Sequence, residues 1–246
     1  MSSITINATR YSSQSVDERI RSVVLHYTQL NFADSVKALT EPDHHSAHYL
    51  ISDSNPAEIF QLVPETKRAW HAGISAWQGR TNLNDTSIGI EIVNPGYKQA
   101  DNGRKDWYPF PDDQINALIG LLKNIISRYP IHTTAIVGHS DIAPIRKIDP
   151  GPLFPWKKLY DHGIGAWPDE QSVKDKLNQP LDSITTLQEK LKRYGYALNV
   201  NGQYDELTQK IIAAFQMHFR PSQYNGKWDI ETQAILDALL EKYLIK

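Results

Sequence analysis

The chain has 246 residues, 40% of them hydrophobic and 22% charged, with a formal net charge of −2. That is an ordinary globular composition, with room for a good-sized core and a small second domain, and it lacks the basic bias expected of a nucleic-acid-binding protein. The absence of cysteine rules out disulfides and thiolate metal ligands, and no apolar run approaches the ~18 residues of a membrane span.

In chain order, "MSSITINATRYSSQ" shows neither the basic nor the apolar part of an export signal. β-Branched enrichment between turn residues predicts a strand at 22–27 (SVVLHY). A short helix is expected over 32–39, capped by Asn31, with Phe32, Val36 and Leu39 on one face. Strands follow at 47–51 (AHYLI), 58–63 (EIFQLV) and 87–93 (SIGIEIV). The clearest helix is 112–129, where Ile115, Leu118, Ile119, Leu122, Ile125 and Ile126 recur at i, i+3, i+4 after a Pro-Asp start. A strand at 135–139 (AIVGH) completes an α/β domain over 1–167. The polar, proline-bounded stretch 168–180 reads as a linker. Residues 181–246 read as a second, small domain of three amphipathic helices joined by short glycine-containing loops.

Several polar residues stand where apolar ones are expected. Alternation puts Ile88, Ile90 and Ile92 on one face of their strand and Glu91 on the other, beside Gly89, which allows a close approach. His26 shares a face with Val24, and His139 stands at a strand end. In "RKIDPG", Asp149 precedes proline and is therefore biased to extended backbone, so Lys147 and Asp149 share a face with Ile148 opposite. Taken singly, each has a plain structural reading: a hydrogen-bonded histidine, a solvated glutamate, a surface ion pair worth ~0–1 kcal/mol. No HExxH motif occurs. Together, two imidazoles and a carboxylate form the kind of three-ligand set that catalytic zinc uses, its fourth position open for water. A second carboxylate can then take a proton, and a lysine can stabilise an oxyanion.

The blocks "VVLHYT", "HYLI", "AWHAGISAW", "NLNDTSIGIEIVNPG", "VGHSDIAP" and "RKIDPGPLFPW", in this order, resemble the type-2 family of zinc-dependent N-acetylmuramoyl-L-alanine amidases, which includes phage amidases and peptidoglycan-recognition proteins. The resemblance implies a mixed central sheet flanked by helices and hydrolysis of the amide between the lactyl group of N-acetylmuramic acid and L-alanine of the stem peptide. It implies Zn2+ held by His26, His139 and Asp149, Glu91 as general base and Lys147 as oxyanion stabiliser, acting on peptidoglycan and muropeptides. His71, Trp77 and Asn84 fall in blocks similar to the family's substrate cleft, while His48 reads as structural and His44, His45, His132, His162 and His218 receive no role. "LQEKLKRYGY", "NGQYDELTQKIIAAFQ" and "DIETQAI" resemble a three-helix peptidoglycan-binding module, although Asp205-Glu206 stand where the module often has Phe-Gly. Similarity to the family's outer-membrane lipoprotein members implies a monomeric periplasmic enzyme, anchored by an N-terminal lipid that this chain lacks. The alternatives are a cytoplasmic enzyme recycling anhydro-muropeptides, a phage endolysin, and a wall-binding protein without activity. Retention of the three ligands, Glu91 and Lys147 disfavours the last.

Overall fold

A computed structural model describes residues 4–42 and 45–244. The first half contains β1 (Ser22–Tyr27), α1 (Phe32–Thr40), β2 (Tyr49–Ile51), β3 (Ile59–Gln61), β4 (Ala76–Trp77), β5 (Arg80–Thr81), β6 (Ser87–Ile92), β7 (Tyr97–Gln99), β8 (Lys105–Trp107) and α2 (Asp112–Arg128). Then come β9 (Ile136–Gly138), α3 (His139–Ile142), α4 (Trp156–Asp161), α5 (Glu170–Lys176), α6 (Ile184–Tyr194), α7 (Glu206–Phe219) and α8 (Ile230–Leu244).

Five strands form a mixed sheet in the order β3-β2-β6-β1-β9, parallel throughout except for the β2–β3 pair. Its central strands are buried on both faces, as parallel strands usually are. On one face Val23, Leu25, Ile88, Ile90, Ile92 and Ile136 meet the apolar stripe of α2. Leu118 and Leu122 are fully buried there, so replacing either by alanine costs about 2–5 kcal/mol. The opposite face carries His26 and Glu91. The Asn31 cap forms as expected, its side chain accepting from the Asp34 N–H at 3.0 Å.

The structure corrects three expectations. Strands β2 and β3 are shorter than the apolar runs that suggested them. His139 does not end a strand; it opens α3, because the Asp141 carboxylate accepts from the Gly138 N–H at 2.8 Å and starts a helix there. Within the stretch read as a linker, residues 170–176 form α5, capped by Asp169 and packed on α8. Its polarity reflects exposure: none of its residues is buried, and Val173 alone meets the core.

The C-terminal helices are fused to the rest of the chain. One apolar cluster joins Val24, Trp77, Val137 and Ile142 to Leu187, Ile211, Phe215 and Leu239. The Trp77 ring meets Tyr194 and Tyr196 edge-on, with centroids 6.0 and 4.9 Å away. The Trp107 indole N–H donates to the Tyr224 hydroxyl at 2.8 Å.

Candidate metal centre and cleft

Parallel register sets His26 on β1 directly beside Glu91 on β6, with Val24 beside Gly89. Registered residues of parallel strands leave the sheet on the same side. His139 arrives from β9, the other neighbour of β1, at the first residue of α3. Asp149 is brought in by the backbone: the Ser140 N–H donates to the Asp149 carbonyl at 2.9 Å. Gly138 makes room for that approach, since a Cβ there would lie 2.6 Å from Pro150 Cδ.

His26 Nδ1, His139 Nδ1 and Asp149 Oδ2 form a nearly equilateral triangle. The edges are 2.9 Å between the imidazoles, 3.0 Å from His26 to Asp149 and 3.1 Å from His139 to Asp149. Tautomers follow from the outer hydrogen bonds. The Ser87 hydroxyl donates to the Leu83 carbonyl at 2.5 Å, so its oxygen accepts the His71 Nε2–H at 3.1 Å. His71 Nδ1 is then an acceptor and takes the His26 Nε2–H at 3.0 Å. His139 Nε2–H likewise donates to the Ala72 carbonyl at 3.1 Å. Both Nδ1 atoms are left with lone pairs, and both point at a carboxylate oxygen. Three lone-pair donors at this spacing repel one another unless a cation joins them. Ligand atoms of a tetrahedral zinc with bonds of about 2.0–2.1 Å stand about 3.3 Å apart, so the donor set and its spacing fit that ion. No other group of three metal-ligating side chains converges this way among the described residues.

The electrostatics agree with a ligand set. Burial, then the neighbouring His139, lowers the His26 pKa to about 4, and burial holds His71 well below the usual range, so both imidazoles are neutral near pH 7. Burial would raise Asp149, but positive charge within the triangle, on the His139 side foremost, outweighs that and holds it below the usual carboxylate range, a charge that a bound cation would supply in place of a proton. Glu91 is pushed up to about 8, first by burial and then by the Asp149 charge, with Lys147 opposing. Its Oε2 is buried and has no hydrogen-bond partner among the described residues.

A cavity of about 1180 Å³ opens over this triangle. His26, His139, Asp149, Glu91 and Lys147 all line it, and Lys147 makes no ion pair among the described residues. Lys147 and Asp149 face one cavity, but Ile148, expected on the opposite side, reaches the same cavity as well as packing on the C-terminal helices. The three residues expected in the substrate cleft fare differently. His71 touches the cavity, but its ring nitrogens are engaged with His26 and Ser87, so it stands behind a ligand. Gly89 provides its berth: a Cβ there would lie 2.2 Å from the His71 ring. Asn84 lines the cavity while its Oδ1 accepts from the His71 and Ala72 N–H groups at 3.0 and 2.7 Å, fixing that loop. Trp77 is 3% exposed and does not reach the cavity; its indole N–H donates to the Thr134 carbonyl at 3.0 Å. Its placement in the cleft is corrected: its size and aromatic neighbours make it an anchor for the C-terminal helices.

His48 is structural, as read: it accepts from the Gly89 N–H at 3.0 Å, and its Nε2 lies 3.2 Å from the Lys67 carbonyl. His44 lies outside the described residues. Two histidines without an expected role have positions that sequence reasoning missed. His45 lines the cavity. His218 of α7 pairs with buried Asp141 at 2.9 Å and stacks on Trp156 at 3.7 Å. The Tyr196 hydroxyl donates to the same Asp141 at 2.7 Å. Arg146, exposed in part, donates to the Ala72 and Ile74 carbonyls and fixes the loop whose Ala72 carbonyl accepts from His139. The polarity of "HSDIAP" was the only trace of Asp141, and nothing in the sequence paired it with residues from α6 onward.

The N-acetylmuramoyl-L-alanine amidase family matches residues 16–152, and the peptidoglycan binding domain matches residues 181–236. N-acetylmuramoyl-L-alanine amidase AmiD of Escherichia coli (strain K12) is 51% identical over 245 residues, covering 96% of this chain and 87% of that protein. The solved complex of E. coli AmiD with anhydro-N-acetylmuramic acid-L-Ala-D-γ-Glu-L-Lys superposes with a TM-score of 0.87 at 48% identity, over 96% of this chain and 94% of that one. AmpDh3 of Pseudomonas aeruginosa in complex with anhydromuramic pentapeptide superposes with a TM-score of 0.91 at 46% identity, over 98% and 99% of the two chains.

Proposed function

This chain belongs to the N-acetylmuramoyl-L-alanine amidase family, and on that premise we propose how its residues divide the work of the reaction. The reaction adds water across the amide between the lactyl carbonyl of N-acetylmuramic acid and L-alanine. It releases a carboxylate on the sugar and a free amine on the stem peptide. His26, His139 and Asp149 would hold Zn2+, which when bound would supply Lewis-acid polarisation of the carbonyl and of the attacking water. The observation that carries this reading is the convergence of three lone-pair atoms 2.9–3.1 Å apart, with Glu91 in register beside His26.

Glu91 acts as base. Its carboxylate takes a proton from the attacking water and delivers it to the amide nitrogen as the C–N bond breaks. A carboxyl raised to about 8 suits the delivery of a proton to the leaving nitrogen, and the charge of a metal held by His26, His139 and Asp149 would lower it toward the range in which it also accepts one. The Lys147 ammonium, in the same cavity and without an ion pair among the described residues, offsets the negative charge that grows on the carbonyl oxygen. His71 keeps the His26 tautomer in its ligand form, and Ser87 does the same for His71. Residues 1–167 carry this chemistry, 168–180 connect, and 181–246 form the peptidoglycan-binding-like segment.

The substrate is peptidoglycan or its muropeptides. Whole-chain likeness to AmiD, where the AmpD relatives match less than half of this chain, supports a wall-directed enzyme in the periplasm, carried on the outer membrane by a lipid anchor. No helix among the described residues is long and apolar enough to cross a membrane. Incubating the purified protein with wall fragments and weighing the products tests the reaction: a free L-alanine amine on the peptide and an intact sugar carboxylate are expected. Products cut within the glycan or within the peptide would overturn it.

A further inference from the structure

Away from the metal triangle the cleft changes character. A recess of about 130 Å³ adjoins the main cavity and shares Lys105, Lys147 and Lys210 with it, whereas Trp70 and the α1 residues line the main cavity alone. Trp107, Met217 and Tyr224 give the recess an apolar wall, and no carboxylate side chain lines it among the described residues. The chain as a whole has 28 acidic against 26 basic residues, so three lysines without an acid mark a local excess of positive charge.

Lys147 serves the reacting carbonyl, which leaves Lys105 and Lys210. Lys105 sits on β8, its ammonium 5.1 Å from the Tyr97 ring centroid. Lys210 sits on α7 and is exposed. Neither forms an ion pair among the described residues. The two walls that carry them are joined by the hydrogen bond from Trp107, two residues beyond Lys105, to Tyr224, just beyond α7. Both lysines are therefore held at one recess by elements from opposite halves of the chain.

The substrate class indicates what they meet. The muramic acid sugar carries no charge once its lactyl group is amidated. The peptide in the AmiD complex, L-Ala-D-γ-Glu-L-Lys, is joined through the γ-carboxyl, so the α-carboxylate of that glutamate is free, as is the C-terminal carboxylate. We infer that Lys105 and Lys210 form a subsite for the free carboxylates of the stem peptide, half of it supplied by the peptidoglycan-binding-like segment. The inference rests on the proposed amidase reading and adds to it a role for α7 in holding substrate.

The test is kinetic, on the full chain, with muramoyl-L-Ala-D-γ-Glu-L-Lys as the free acid and in two capped forms: amidated at the glutamate α-carboxyl, and amidated at the C-terminus. Lys105→Gln, Lys210→Gln and the double variant are compared with Lys105→Arg/Lys210→Arg. On the free acid the double glutamine variant should raise KM about tenfold, one half-buried and one exposed charge contact of roughly threefold each, with kcat within about twofold. Added salt should shrink the difference, and the arginine pair should restore KM. The penalty should vanish on whichever capped form lacks the carboxylate that is bound, which identifies it. An unchanged KM on the free acid overturns the subsite, as does an equal rise on the free acid and both capped forms. If the unaltered protein cleaves none of the three, the amidase reading itself fails, a result separate from either.

Discussion

Glu91 and His26 are register partners on adjacent parallel strands, so one pleat places a buried carboxylate oxygen beside an imidazole of the candidate metal triangle. The two have distinct expected behaviours. Replacing Glu91 by glutamine keeps the shape and removes the base. Turnover should fall by about 10²–10⁴ while bound zinc, measured by elemental analysis, stays at one equivalent. Zinc lost in parallel with activity would make Glu91 a ligand or a structural group.

The converging donors set the metal requirement. Chelation should abolish hydrolysis and added zinc should restore it, and His26→Ala, His139→Ala or Asp149→Ala should each lose the ion. Full turnover in exhaustively metal-free protein would falsify the site.

The chain of hydrogen bonds from Leu83 through Ser87 and His71 to His26 predicts an effect on affinity. His71→Phe removes the acceptor that fixes the His26 tautomer, and zinc affinity should drop about 10–100-fold in competition with a chromophoric chelator. Ser87→Ala should shift it in the same direction by less. Unchanged affinity in both variants would confine His71 to packing.

Removing residues 181–246 is, on sequence grounds, a trim that spares the chemistry, because every proposed catalytic residue precedes Gly151. The structure reverses that expectation. The cut uncovers Val24, Trp77, Val137 and Ile142 and leaves the buried Asp141 carboxylate without Tyr196 and His218. Asp141 starts the helix that carries His139, so turnover on sacculi and on a soluble muropeptide should be lost together, with a lowered Tm. Retained activity on the soluble fragment would show that the first 180 residues stand alone.

Glu65 accepts from both terminal nitrogens of Arg128 and from the Tyr49 and Tyr129 hydroxyls. The Arg128 bonds foremost lower its pKa from 4.5 to about 2. A depressed carboxyl stabilises the fold above its unfolded pKa, and that contribution fades as pH falls from about 5 toward 2. Glu65→Gln should cost about 1–3 kcal/mol near pH 7, less at high salt because Arg128 is partly exposed. It should also flatten the decline of the urea midpoint between pH 5 and 2. Parallel declines in both proteins would remove Glu65 from the acid response.

What the sequence determined by itself was local. The β-branched run of β1, the stripe of α2 and the Asn31 cap are preferences of neighbouring residues, so they could be read directly. Similarity of ordered blocks to a known family named His26, His139, Asp149, Glu91 and Lys147 as a group. Which partners met each face was decided in three dimensions. Periodicity tells which side of its own element a residue takes, and says nothing of what covers that side. His71 met His26 across 45 residues and Asp141 met His218 across 77, which turned one expected substrate contact into a support for a ligand. Trp77 went to the core because the C-terminal helices closed over it. Lys210 reached the cleft for the same reason: α7 packs on the sheet face that carries the metal site, a consequence of apolar surface seeking cover that no local pattern encodes.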